Sequence, residues 1–331
     1  MPTDPDPDDD LDLGLVGDLD PRPDGDLGLG LVDARPRRLH PALAPVGPIG
    51  FGCWRFTHDD ADTAQGVLEA ALDAGLTLVD AADVYGLDWG GTGFGAVEEL
   101  LGRVLAHAPD LRDRMVLATK GGIRPGVPYD SSPAWLRRAC DDSRRRLGVE
   151  VIDLYQVHRP DLLTSPAAVA DALAGLVEVG AVTAVGISNH TPAQHAALRA
   201  ALAERAVPLA TSQPELSLLH RDPLRDGTLD RCAADGVVPL AWSPLAGGRI
   251  AATDGPPAAL ATALDELARR EGVDRSAVAL AWVLALPTRP VAIVGSQHPD
   301  RLRSATGALG VHLDRRDWYH LLEAADGEPL P

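Results

Sequence analysis

The sequence predicts an α/β protein of the (β/α)8 TIM-barrel class, a single domain behind a disordered acidic tail. Eight short apolar runs recur along the chain, and stretches with 3.6-residue apolar spacing separate them. Strict alternation of this kind implies parallel strands joined by crossover helices. A length of 331 residues is also within the range of one α/β barrel. A doubly wound sheet is the alternative architecture.

The elements follow in order. Residues 1–45 alternate Asp, Pro, Gly and Leu with no helical or strand period and are expected to be a disordered tail. The repeated DLDL and GLGL of that tail leave open an interaction motif as well as a solvated extension. Strands are expected at 49–52, 77–80, 115–120, 152–157, 182–188, 209–213, 237–242 and 291–295. Helices are expected at 62–74, 133–147, 166–179, 192–204, 224–235, 260–271, 277–286 and 299–309, and 315–325 closes the chain. The helix at 133–147 has a proline in its first turn and Gly148 as its stop. Another helix carries Glu98 and Glu99, whose carboxylates are expected to be solvated. Two helical patterns, 260–271 and 277–286, precede the last strand, so its connection is long. The domain division is therefore 1–45 for the tail and 46–331 for the barrel.

Composition narrows the functional classes. The chain is 45% hydrophobic and 24% charged, a globular balance. Its longest uninterrupted apolar run, 277–286, is ten residues, short of the roughly 20 that span a membrane. The net charge is −18, and residues 1–33 hold eleven Asp and one Arg, more than half of it. Phosphate backbones and anionic membranes repel such a chain, so neither nucleic acid nor membrane is an expected partner. Three cysteines without CxxC spacing argue against a disulfide framework or a zinc site, and no metal is expected. The N-terminus is acidic where a secretory signal would be basic, which makes the cytoplasm the expected compartment.

In a barrel of this class, chemistry is done at the C-terminal ends of the strands. The polar residues expected there are Asp80, Lys120, His158, Ser188, Asn189, Gln213, Trp242, Ser243 and Ser296, with Tyr85 five residues beyond Asp80. Taken singly each has an ordinary reading: Asp80 as a cap or turn former, His158 as a satisfied core histidine. Lys120 stands apart because it is the only lysine of the chain; every other fixed cation is Arg. Keeping one lysine after an apolar strand suggests a need for a proton-labile amine. An acid, an amine, an imidazole and a phenol on one rim are what proton transfer requires.

Seven segments carry a family resemblance: VDAADVYG (79–86), LATKGGI (117–123), IDLYQVHRPD (152–161), GAVTAVGISNHTP (180–192), SQPELSLLHR (212–221), AWSPLAGGR (241–249) and IVGSQHPDRL (293–302). In this order and spacing, across roughly residues 46–325, the chain resembles the aldo-keto reductases. The resemblance implies a (β/α)8 barrel that binds NADPH without a Rossmann fold and reduces an aldehyde or ketone to an alcohol. No GxGxxG follows a strand pattern, in agreement.

Position by position, the resemblance makes Tyr85 the general acid and Lys120 the ammonium that lowers its pKa. Asp80 would hold Lys120 charged, and His158 would orient the substrate oxygen. Ser188, Asn189 and Gln213 match positions that hold the nicotinamide carboxamide, and Trp242 the stacking ring. Ser243, Leu245 and Gly247 would line the pyrophosphate, their backbone N–H groups approaching its oxygens. Gly295, Ser296 and Arg301 match the adenosine-phosphate site, where an arginine favours NADPH over NADH. Trp54 matches a pocket-lining aromatic, and Trp89 and Tyr129 are expected to complete an apolar wall. Glu215 is expected to orient a loop. The pattern is broken where the family carries lysine and a Glu-Asn pair: this chain has Gly295, Ser304 and Ala305, with His298 and Arg303 nearby to compensate. The resemblance favours a monomer acting on a small carbonyl compound. The alternative is a cofactor-binding regulatory or sensor subunit on the same scaffold, and the full Tyr85, Lys120, Asp80 and His158 set favours turnover.

Overall fold

The computed structural model describes residues 30–87 and 89–331. In chain order its elements are β1 (Ile49–Gly52), α1 (Ala61–Asp73), β2 (Leu78–Asp80), α2 (Ala96–His107), β3 (Val116–Gly121), β4 (Ile123–Arg124), β5 (Val127–Tyr129) and α3 (Pro133–Leu147). They continue as β6 (Ile152–Val157), α4 (Pro166–Glu178), β7 (Val182–Ser188), α5 (Pro192–Ala203), β8 (Leu209–Gln213), α6 (Thr228–Asp235) and β9 (Val238–Trp242). The last are α7 (Ala258–Glu271), α8 (Arg275–Leu284), β10 (Val291–Val294), α9 (Pro299–Ala305) and α10 (Arg315–Asp326).

Eight strands close into a barrel in the order β1–β10–β9–β8–β7–β6–β3–β2, and every pair in it is parallel. The (β/α)8 barrel expected from the alternating pattern is therefore the fold, and the doubly wound sheet is not. The remaining two strands, β4 and β5, form a small antiparallel hairpin between β3 and α3. Its two- and three-residue strands are too short for a periodic signal.

Local chemistry starts and stops the helices. Ser132, Ser165 and Thr191 each cap a helix whose first residue is proline, accepting a hydrogen bond from a first-turn amide. Gly148 ends α3 at φ 68°, a conformation that suits glycine. The stacked rings of Trp282 and Trp318, 4.9 Å apart, pin α8 to α10, and each indole N–H donates to the other residue's carbonyl. No helix among the described residues is long and apolar enough to cross a membrane. Cys53, Cys140 and Cys232 are buried free thiols.

The barrel interior is filled by Leu78, Val116, Ala118, Leu154, Ala184, Ala210, Leu240, Val291 and Ile293. Residues before β1 seal its lower end. Leu39, Leu43 and Val46 join that same cluster, and Arg37 and Val46 exchange backbone hydrogen bonds of 2.8 Å. The buried Arg37 guanidinium donates to the carbonyls of Asp33 and Arg289 at 2.8 and 3.0 Å. Residues 30–45, assigned to the tail by composition, are thus an ordered plug. Their order comes from burial against a barrel floor drawn from strands spread between residues 78 and 293, which composition does not register. The rest of the expected tail, 1–29, is outside the described residues.

Candidate active site

Side chains two residues apart on a strand share a face. The inward line that reads Leu78, Ala118 and Leu154 in the core therefore continues upward as Asp80, Lys120 and Gln156. Lys120 is fully buried and spends its three ammonium protons on Asp80 Oδ2 (2.6 Å), the Ala81 carbonyl (2.9 Å) and the Tyr85 hydroxyl (3.0 Å). Burial alone would discharge it, but the Asp80 charge and Tyr85 outweigh burial and hold it cationic. Asp80 Oδ1 accepts from the amides of Gln156 (3.2 Å) and Gln213 (3.1 Å).

Tyr85 stands in the turn after β2, where its amide donates to the Ala82 carbonyl. Its ring meets that of His158 edge-on at 5.8 Å. Lys120 pulls the phenol pKa down, as the resemblance implies. Burial pushes it up more strongly and Asp80 adds to that push, so the net shift is upward. His158 is held well below the ordinary histidine range by burial, then by the charges of Lys120 and Arg159, and is a neutral imidazole. Its Nδ1 has no hydrogen-bond partner among the described residues.

A second set of bonds extends this cluster along the rim. Ser188 Oγ donates to the Gln213 carbonyl at 2.9 Å. Asn189, at φ 59°, gives its side-chain amide to Ser188 Oγ (2.8 Å) and the His158 carbonyl (3.1 Å) and accepts from the Trp242 indole (3.0 Å). Tyr85, Lys120, Asp80, Gln213, Ser188, Asn189 and Trp242 are therefore linked in one chain of hydrogen bonds. Glu215 bridges to Trp242 through the backbone. The sequence reading missed Gln156, although the period-2 line from Leu154 to His158 passes through it.

In the turn after β9, one of the three residues expected to line the pyrophosphate, Gly247, gives its amide to the turn itself. Ser243 lies at φ 53°, and Gly247 and Gly248 at 69° and 95°. The amides of Ala246, Gly247 and Gly248 donate to the Ser243 carbonyl (2.7 Å), Ser243 Oγ (2.8 Å) and the Leu245 carbonyl (2.9 Å). These three amides are spent inside the turn, and of them only that of Gly247 is expected to approach a ligand. After β10, Gly295 lies beside the β1 end, where a Cβ on it would meet the Gly52 carbonyl at 3.7 Å, and Ser296 Oγ accepts from the His298 amide at 3.3 Å. Arg301 is exposed on α9, while Arg303 is paired with Asp300 at 2.7 Å.

Trp54 and Trp89 come together with ring centroids 5.0 Å apart. Tyr129 sits on the β4–β5 hairpin, and among the described residues no ring contact joins it to them. Glu98, expected to be solvated, is fully buried. It accepts from Thr119 Oγ1 at 2.5 Å and pairs with Arg146 at 2.7 Å. An arginine 48 residues away makes a buried face for this carboxylate, and helix periodicity cannot reveal that.

Beside it Asp83 is also fully buried, and neither of its side-chain oxygens makes a well-formed hydrogen bond. Burial, then Glu98, raises its pKa well above the usual carboxylate value, so the fold favours its protonated form relative to the unfolded chain. The unfolded chain ionises it at neutral pH, so folding takes up a proton and becomes costlier as pH rises. Asp83→Asn should therefore raise the melting temperature by a few degrees at pH 8, with the gain shrinking towards pH 4. Melting curves at both pH values test this; an equal gain at both would show that the fold does not raise the Asp83 pKa.

Comparison with known proteins gives a consistent picture. The aldo/keto reductase family model matches residues 48–326. A 6-dehydroglucose reductase of Novosphingobium aromaticivorans is 49% identical over 296 residues, 88% of this chain and 95% of that protein. A 6-dehydroglucose reductase of Agrobacterium fabrum is 37% identical, covering 85% and 95%. Among solved structures, glycerol dehydrogenase from Gluconobacter oxydans superposes with a TM-score of 0.74 at 28% identity, covering 88% of this chain and 96% of that one.

Proposed function

The chain belongs to the aldo/keto reductase family, and we propose that it reduces the carbonyl group of a small aldehyde or ketone with NADPH. The observation that carries this reading is the buried Lys120 ammonium, shared between Asp80 at 2.6 Å and the Tyr85 hydroxyl at 3.0 Å. Such a group steadies negative charge on the phenol oxygen once its proton has left. Tyr85 then serves as the proton donor to the carbonyl oxygen, and His158, a neutral imidazole beside it, orients that oxygen. Asp80, tied by Gln156 and Gln213, fixes the lysine and keeps it charged.

The residues present fit a nicotinamide cofactor. Asn189 Oδ1 accepts one bond, from Trp242, and keeps a lone pair for a carboxamide N–H. Trp242 is only half-buried, which leaves part of its ring for stacking. A Cβ added to Gly247 or Gly248 would meet nothing within 4 Å, so the β9 turn leaves room for an extended ligand. When bound, NADPH supplies the hydride. Arg301 is the guanidinium proposed for the 2′-phosphate and hence for preference over NADH.

For substrate, we favour a polyhydroxylated carbonyl compound. The relatives named 6-dehydroglucose reductase support this, as does the exposed Trp54–Trp89 pair, whose rings suit the C–H faces of a sugar. The test is NADPH oxidation by the purified protein against oxidised sugars, aromatic aldehydes and diketones, with NADH as control. Turnover fastest on the sugars and favouring NADPH is the expected result. Binding of NADPH without turnover on any of them would instead support the regulatory-subunit reading.

A further inference from the structure

The two oxygens of Asp80 have different duties. Oδ2 takes the Lys120 ammonium at 2.6 Å, and Oδ1 accepts from the amides of Gln156 and Gln213 at 3.2 and 3.1 Å. Those two amides differ in what else can claim them. Gln213 ends β8, where its carbonyl accepts from Ser188 and Asn189, and it stands at one of the positions that the nicotinamide reading assigns to the carboxamide. On that reading a bound cofactor competes for it. Gln156 is fully buried, two residues below His158 on β6.

Four neighbouring strands build a seat for Gln156. Strand register pairs Lys120 with Gln156, Gln156 with Gly186, and Gly186 with Thr211. A Cβ on Gly186 would collide with Thr211 Oγ1 and lie 3.0 Å from Gln156 Cγ; a glycine inside a strand marks such a close approach. Across that gap the Thr211 hydroxyl, also fully buried, donates to Gln156 Oε1 at 3.4 Å. The amide oxygen is thereby engaged, and the amide nitrogen is turned to a carboxylate that can only accept. Support of this kind matters because the terminal torsion of an aspartate is broad and a lysine stem is flexible. With Oδ1 unsupported the carboxylate is free to turn, and the ammonium bonded to it is drawn off the Tyr85 hydroxyl, which it meets at 3.0 Å.

We propose that Gln156 is a positioning residue for the proton donor: oriented by Thr211, it holds Asp80 Oδ1 while the cofactor engages Gln213, so that Lys120 stays on the Tyr85 oxygen. It acts through Asp80 and not on the reacting atoms. The inference rests on the reductase reading above and goes beyond it by dividing the two amides between two tasks.

The experiment compares wild type, Gln156→Leu, Thr211→Val and Thr211→Ser in steady-state reduction with NADPH, using the best carbonyl substrate of the wild type, in water and in heavy water. Leucine keeps most of the glutamine's volume and removes its donor. In Gln156→Leu, kcat should fall by about 10-fold, the effect of one hydrogen bond to a charged group, with the KM for the carbonyl compound within a few-fold of wild type. The solvent isotope effect on kcat should rise, since the step that is slowed moves a proton. Thr211→Val should lose less in the same direction, and Thr211→Ser, which keeps the hydroxyl, should stay near wild type. Unchanged kcat and isotope effect in Gln156→Leu would overturn the proposal. So would an equal loss in Thr211→Ser and Thr211→Val, the mark of packing, and this pair decides the matter alone if Gln156→Leu does not fold. A wild-type protein that binds NADPH and reduces no carbonyl compound would overturn the reductase reading itself, and the proposal with it.

Discussion

Tyr85→Phe is expected to lower carbonyl reduction by about 10²–10⁴-fold, the usual contribution of a positioned acid, while leaving NADPH affinity within a few-fold. The change removes one oxygen and keeps the ring that packs edge-on against His158. Lys120 loses its 3.0 Å partner but retains Asp80 and the Ala81 carbonyl, so the buried ion pair survives. None of the residues proposed to hold the nicotinamide is bonded directly to Tyr85. A fall in kcat with little change in cofactor affinity is the signature of an interaction made only at the reacting atoms. Steady-state NADPH oxidation and a cofactor titration on the same preparation decide it. A variant retaining more than a tenth of wild-type turnover would remove Tyr85 from the role of acid.

How far such a site can be read from sequence depends on whether its determinants are local. Strand ends are local: an apolar run that stops at Asp80, Lys120 or Gln213 places that residue on the rim once the barrel is accepted. The same logic, applied with the two-residue pleat, reaches Gln156 from Leu154. Contacts between distant loops are not local. Arg55 follows a strand like any exposed arginine, and nothing near it indicates that its guanidinium donates to the Gly247 carbonyl 192 residues on. Glu98 and Arg146 illustrate the same limit inside the helical layer, as Arg37 does beneath the barrel. The β9 turn is a different case. Its small residues are visible in SPLAGGR, but the internal use of its amides follows from backbone angles that composition does not dictate.

Lys120→Met should lose both activity and stability, and the pairing with Asp80 allows the two losses to be separated. Removing the ammonium leaves the Asp80 carboxylate buried, with only the Gln156 and Gln213 amides as side-chain donors. Breaking one side of a buried pair costs roughly 3–5 kcal/mol, whereas replacing both partners by apolar groups is often neutral. Lys120→Met alone is therefore expected to lower the melting temperature by roughly 10 °C. Lys120→Met combined with Asp80→Leu should recover most of that. Reduction should fall by about 10²–10⁴-fold in both variants, since neither offers a cation to the Tyr85 oxygen. Thermal melts and kcat on the two proteins give the result. If the double variant recovered activity along with stability, Lys120 would be part of the scaffold rather than of the chemistry. Recovered stability with activity still absent would mean that the one lysine of this chain is kept for its proton and its charge, since its packing can be replaced.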